Sequence, residues 1–322
     1  MFFPSSPSLF VQLGVAVGWI LAVSTPGLAQ LTPDATLGAA SSTVNSQGSL
    51  DRVEGGARAG ANLFHSFREL NVAPGRSLYF HDPGVSNILT RVTGPNPSTI
   101  EGRLGVEGGA NLFLLNPNGI LFGPGASLDV RGSFLATTAT GIKFADGSQF
   151  SATPEPSAPL LTVSLPIGLQ WGTQPTSARI VNRGHLQVGQ NLSLSSTYLD
   201  LQGGLQAAGN LTLLATEQVQ IRDRPGVPFL AQAGGDLKIR GDRGIDILAL
   251  SHPSGSLQAG GDLNLVSDGP ISGDTHFTSG SNLSLLTTAG EPGTLVSQFD
   301  PILRANGDVT FGDYTGVALK VE

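Results

Sequence analysis

Gly209-Asn210-Leu211-Thr212-Leu213, Gly235-Asp236-Leu237-Lys238-Ile239 and Gly261-Asp262-Leu263-Asn264-Leu265 are one phrase written three times. It reads glycine, then Asn or Asp, then apolar, polar, apolar. Gly189-Gln190-Asn191-Leu192-Ser193-Leu194 precedes the three copies, and Ser281-Asn282-Leu283-Ser284-Leu285 and Gly307-Asp308-Val309-Thr310-Phe311 follow them. From Leu192 to Val309 the first apolar positions step by 19, 26, 26, 20 and 26 residues. Recurrence at this period marks a solenoid. The alternation after each Asn or Asp is that of a strand with one buried face. No helical periodicity follows residue 29, which sets helical solenoids aside.

The fold class is therefore all-β, a parallel β-helix whose equivalent strands pair one coil apart, ~4.8 Å along the axis. Leu192, Leu211, Leu237, Leu263 and Leu283 should stack in one interior column. Asn191, Asn210, Asp236, Asp262 and Asn282 should line a corner, where side-chain amides ladder between coils. The glycine beside them is expected to supply positive φ. At ~23 residues per coil the chain after residue 29 makes about 12–13 coils. Ala61-Asn62-Leu63-Phe64, Ala110-Asn111-Leu112-Phe113-Leu114 and the variant Ala126-Ser127-Leu128-Asp129-Val130 carry the phrase toward the N-terminus.

Composition agrees with a thin rod. Of 322 residues, 44 are Gly, 21 Pro and none Cys, and only 13% are charged. The formal net charge of −7 argues against a nucleic-acid partner, which selects a basic excess. Without cysteine there is no disulfide, thiol nucleophile or Cys-ligated metal. Residues 1–29 lack Asp, Glu, Lys and Arg, and an apolar run from Leu9 to Val23 leads into Gly27-Leu28-Ala29. That pattern predicts a signal peptide cleaved after Ala29, although the n-region has no positive side chain; an uncleaved anchor is the alternative. The expected division is a signal peptide over 1–29, an N-terminal module over 30–152, a loop or extra-helical excursion over 153–180 opened by Thr153-Pro154-Glu155-Pro156-Ser157-Ala158-Pro159, and β-helix repeats over 181–322.

Ala110-Asn111-Leu112-Phe113-Leu114-Leu115-Asn116-Pro117-Asn118-Gly119-Ile120-Leu121-Phe122-Gly123 resembles the N-terminal two-partner secretion (haemagglutination activity) domain of filamentous haemagglutinin-like exoproteins, cyanobacterial type. Asn62-Leu63-Phe64-His65-Ser66-Phe67, Arg91-Val92-Thr93-Gly94 and Gly132-Ser133-Phe134-Leu135-Ala136-Thr137-Thr138-Ala139 are similar to it as well, so that the resemblance covers about residues 31–152. It implies a right-handed parallel β-helix with a cap and small extra-helical elements. It implies passage through the periplasm of a Gram-negative-type cell and export by an outer-membrane β-barrel transporter with POTRA domains. The product would be secreted or held at the cell surface as an adhesin, with a host-cell, surface or glycan receptor. The resemblance carries the secretion role onto Asn116, Pro117, Asn118, Gly119 and Ile120. The family's second motif, Asn-Pro-Asn-Leu, has only the loose echo Pro95-Asn96-Pro97-Ser98 here. The pentapeptide is also a good turn: Pro117 fixes φ, Asn118-Gly119 favours positive φ and Asn116 can cap. Direct contact with the transporter and folding of a corner both remain open readings.

Other motifs have plainer explanations. Arg240-Gly241-Asp242 matches an integrin-type tripeptide but falls in a turn. The sequons at Asn191, Asn210 and Asn282 are copies of the repeat phrase. His65, His81, His185, His252 and His276 show no metal-ligand spacing, so no metal or cofactor is expected. Parallel β-helices also host polysaccharide lyases and hydrolases, the alternative function. Those need clustered acids, and the repeat acids Asp236, Asp262 and Asp308 are corner residues, so no enzyme activity is expected. The alternating end Val317-Ala318-Leu319-Lys320-Val321-Glu322 lacks a cap, which suggests a truncated version of a longer exoprotein.

Overall fold

The computed structural model describes residues 31–153, 162, 164–172 and 177–322. The proposed signal peptide and most of the Pro-rich stretch lie outside them. The described chain is a parallel β-helix with three strand faces per coil and a single 3-10 turn, Gly38–Ala40. On the first face Leu63, Ile88, Leu112, Phe134, Leu192, Leu211, Leu237, Leu263, Leu283 and Val309 stand in register, each paired to the next coil. The five leucines expected in one column are there, fully buried. Each such side chain taken from water is worth about 1.5–3 kcal/mol, and the column repeats that contribution coil after coil.

The second face stacks Ser98, Ile120, Ile180, Leu199, Val219, Ile245, Ile271, Leu295 and Tyr314. The third face stacks Leu78, Leu104 and Leu128, and further along Leu186, Leu205, Ala231, Leu257, Phe277 and Leu303. The Ala126–Val130 variant thus belongs to the third face and not to the leucine column. Ten rungs on the first face give roughly 45 Å of rod. This is fewer than 12–13 coils because a cap and an excursion absorb residues. The cap is antiparallel: Ser42–Gln47 pairs with Leu50–Gly55, while Leu31–Pro33 and Ala57–Ala59 both pair with Asn62–Leu70. The excursion interrupts the step from Phe134 to Leu192 and folds as a small antiparallel sheet of Gly141–Phe144, Gln149–Ser151 and Pro166–Gln170.

The corner ladder is present, by a simpler bond than an amide stack. Asn191 Oδ1 accepts the Asn210 backbone N–H (2.8 Å), Asn210 Oδ1 that of Asp236 (2.9 Å), Asp236 Oδ1 that of Asp262 (2.9 Å), Asp262 Oδ1 that of Asn282 (3.0 Å) and Asn282 Oδ1 that of Asp308 (3.0 Å). The expectation about glycine is corrected. Gly209, Gly235, Gly261 and Gly307 are absent from the positive-φ set. They are glycines because an added Cβ would overlap the ladder oxygen of the coil before, Asn191, Asn210, Asp236 or Asn282 Oδ1 respectively.

Candidate functional site

Asn116 ends the strand Asn111–Leu115 and starts the turn into Ile120–Phe122. Its side chain is fully buried and bonds at both ends. Nδ2 donates to the Asn96 carbonyl (3.1 Å) and to Ser98 Oγ (3.0 Å), while Oδ1 accepts the Asn118 backbone N–H (3.0 Å). The Gly119 N–H closes the turn on the Asn116 carbonyl (3.2 Å). Gly119 lies at φ +121°, a conformation open to glycine alone, with Pro97 packed beside it. Ile120 drops into the second-face column between Ser98 and Ile180. Pro117 is half-buried and Asn118 exposed, although Asn118 Nδ2 reaches back to the Gly94 carbonyl (2.8 Å). The motif therefore divides: Asn116, Gly119 and Ile120 build the corner, while Pro117 and Asn118 form its outer surface. The Pro95–Ser98 stretch is the corner one coil below, holding two of the Asn116 bonds.

A buried polar network lies on the same side of the rod. Arg91 has no exposed surface. Its Nε donates to Ser66 Oγ (2.9 Å), one terminal nitrogen to the Ser151 carbonyl (2.5 Å) and the other to Thr36 Oγ1 (2.8 Å), with the guanidinium 4.6 Å from the Phe150 ring centre. Burial pulls its pKa down to about 10, against the opposing pull of Asp34. Burial also pushes the Asp34 carboxyl up, but hydrogen bonds from Thr36, Thr93 and Ser66 outweigh it and hold the group below its ordinary value. Asn62 Nδ2 donates to the carbonyls of Thr162 (3.0 Å) and Ser164 (2.8 Å). Arg91 thus ties cap, coil and excursion together, and Asn62 fastens the excursion a second time. Phe64, Leu89 and Leu115 point outward from the first face, yet are buried under Ile142, Phe144 and Phe150 of the excursion sheet. Sequence reasoning named Arg91 and Thr93 only through resemblance. The available signal was an arginine inside the otherwise strand-like run Asn87–Val92, all of it buried.

The remaining motifs resolve into fold. Arg240 Nε donates to Asp242 Oδ1 (2.5 Å), so the tripeptide closes on itself at a corner. The sequon asparagines spend Oδ1 on the ladder. Among the described residues no group of three or more His, Asp or Glu gathers where it could hold a metal. What the region offers is a hydrogen-bonded corner beside a covered sheet.

Comparison with known proteins agrees with this geometry. The TPS secretion domain family matches residues 29–283, most of the chain. The chain belongs to that family, the secretion domain of two-partner secretion exoproteins of the filamentous haemagglutinin type, a transport-related domain. The HMW1 secretion domain from Haemophilus influenzae superposes with a TM-score of 0.51 at 14% identity, covering 91% of this chain and 100% of that one, which supports the β-helix fold. The filamentous hemagglutinin secretion domain aligns with a TM-score of 0.49 at 18% identity, covering 91% of this chain and 99% of that one. A heme/hemopexin-binding protein of Haemophilus influenzae is 35% identical over 75 residues, 23% of this chain. That stretch spans only 8% of the relative's length.

Proposed function

We propose that this chain is an exoprotein whose signal peptide, residues 1–29, is removed on entry to the periplasm. The N-terminal module then engages the POTRA domains of its partner β-barrel. The corner Asn116–Ile120 takes part in that engagement, through the half-buried Pro117 and the exposed Asn118 held on the buried frame of Asn116, Gly119 and Ile120. The chain crosses unfolded, folds coil on coil outside, and acts at the cell surface as a non-catalytic adhesin. The observation that carries this reading is the split of the pentapeptide into a buried frame and an outer surface of half-buried Pro117 and exposed Asn118. The test is secretion by cells carrying the partner barrel. Asn118→Ala should cut secretion while costing the purified domain no more than about 1 kcal/mol, the worth of its bond to Gly94. Asn116→Ala should cut secretion and also lose about 2 kcal/mol of stability, since three buried bonds go. Normal secretion of the double variant Asn116→Ala, Asn118→Ala would overturn the proposal.

A further inference from the structure

Away from that corner, the bend between the second and third faces changes shape along the rod. In two successive coils it is tight: Arg183-Gly184 joins Arg179–Asn182 to His185–Val188, and Gln202-Gly203 joins Leu192–Leu201 to Gly204–Ala207. The next two coils swing out as longer loops, 223–230 and 250–256. The step leaves a groove of about 530 Å³, floored by Gly184 and Gly204 and walled by the loops. The walls are fixed. Asp223 accepts the Phe229 N–H (2.7 Å) through one oxygen and the Ser251 N–H (2.8 Å) through the other, stapling both loops. Arg224 and Val227 exchange backbone hydrogen bonds across a turn that Gly226 makes possible at φ +73°.

Four cationic or protonatable side chains line this groove, Arg183, His185, Arg224 and His252, and no carboxylate does. In a chain of net charge −7 that is a marked local excess. Six of the fourteen arginines pair with acids, among them Arg222 with Asp246, Arg240 with Asp242 and Arg304 with Glu322. Neither Arg183 nor Arg224 has such a partner among the described residues, and Arg224 Nε is buried without an acceptor. An orphaned buried guanidinium N–H is costly unless a ligand satisfies it. The two arginines start two coils apart, roughly 10 Å along the axis. The Ser254 N–H donates to His252 Nδ1 (3.3 Å), so the neutral ring carries its proton on Nε2 as a second donor. The rest of the lining is apolar: Pro124, Val227, Pro228, Leu230 and Pro253. Beside the floor runs an outward amide ladder, Gln206 Nε2 to Gln232 Oε1 (3.3 Å) and Gln232 Nε2 to Gln258 Oε1 (3.4 Å).

Oxyanion donors, an apolar wall for C–H faces and a strip of amides for hydroxyls match an acidic sugar better than a bare anion. We propose that this groove binds an acidic glycan, its carboxylate or sulfate held between Arg183 and Arg224 and the adjoining sugars laid along Gln206 and Gln232. The inference rests on the surface role proposed above for its use. Its test is made on purified full-length chain, so failed export and failed binding are separate results. Titration calorimetry with tri-galacturonate should give a Kd below about 1 mM, an ordinary value for a weak glycan site. Raising the salt should weaken it, as for any exposed charge pair. Arg183→Ala and Arg224→Ala should each weaken it at least tenfold with unchanged circular dichroism, while Arg304→Ala, elsewhere on the third face, should not. Absence of binding by tri-galacturonate, equal binding of neutral maltotriose, affinity for inorganic sulfate equal to that for the trimer, or indifference to both arginine substitutions would overturn the proposal. The salt titration on the unaltered chain keeps the test valid if a variant fails to fold.

Discussion

An acceptor is all that the repeat corner asks of Asn210, Asp236 and Asp262, because each uses Oδ1 on the next coil's backbone N–H. That is why Asn and Asp alternate there without consequence. The N-terminal coils are stricter. Asn87 Nδ2 donates to Asn62 Oδ1 (3.0 Å), and Asn111 Nδ2 donates to Asn87 Oδ1 (3.0 Å), both requiring an amide. Asn210→Asp should therefore leave the urea midpoint nearly unchanged and Asn210→Ala should cost about 1 kcal/mol. Asn87→Asp should cost about 3 kcal/mol, since it buries a carboxylate against the Asn62 carbonyl oxygen. A second residue-scale prediction concerns His65, buried between the cap and the first coil, with Nδ1 bonded to Ser42 Oγ (3.0 Å) and Nε2 unpartnered. Burial pushes its pKa down from 6.5 to about 4. Below pH 6.5 the unfolded chain takes up a proton that the folded chain refuses. Stability contributed by the neutral ring is whole above that pH and falls as the pH drops toward 4, by up to about 1.4 kcal/mol per unit. Urea unfolding followed from pH 7 to pH 4 should show this slope, and His65→Gln should flatten it.

At the scale of elements, the excursion is held by few but buried contacts. Arg91 reaches it at Ser151 and Phe150, Asn62 reaches it at Thr162 and Ser164, and Phe64 packs edge-on against Phe150 at 5.0 Å between centroids. Arg91→Met keeps the length of the side chain and loses every hydrogen bond. It should cost about 3–5 kcal/mol, the usual result of breaking a buried charge network. Limited proteolysis should then cut within 139–172 before the shaft, whereas Leu263→Ala should leave that segment protected. Little of this was legible in the sequence. The columns were, because strand alternation and a nearly constant coil length are local signals. The Pro-rich stretch beginning at Thr153 announces a break, but the sheet docked there also draws on Gly141–Phe144 and Gln149–Ser151, which the sequence leaves inside the N-terminal module over 30–152. What fixes them is a set of contacts from 60 to 102 residues away in the chain, Arg91 to Ser151 and Asn62 to Ser164, and no periodicity encodes those. The Asn116 corner was half legible: Pro117 and Gly119 declare a turn, but the burial of Asn116 depends on the Asn96–Ser98 corner one coil below.

Over the whole molecule, each coil touches its neighbours before and after it, so stability should be close to a sum of coil and interface contributions. The 26-residue coils make this testable. Leu211, Leu237 and Leu263 occupy the same site on the first face, and Asn210, Asp236 and Asp262 the same corner. Removing residues 237–262 joins Asp236 to Leu263 and rebuilds the phrase, with Asn282 then the acceptor's next coil still 20 residues on. The shortened chain should keep an all-β circular dichroism spectrum of unchanged shape and unfold cooperatively at a modestly lower temperature. A deletion of 13 residues, about half a coil, should fail, because it would set third-face residues against the first-face column and turn apolar side chains outward. The cap side should behave differently. Strands 42–47 and 50–55 pair antiparallel with each other and cover the rod's first parallel rung, so no equivalent coil can replace them. Deleting residues 31–59 should expose the edge of Asn62–Leu70 that Leu31–Pro33 and Ala57–Ala59 cover, and should convert the purified chain to aggregates. Light scattering beside the circular dichroism distinguishes the two outcomes: a monomeric, folded coil-deletion variant together with an aggregated cap-deletion variant is the result that an additive shaft on an irreplaceable N-terminal cap requires.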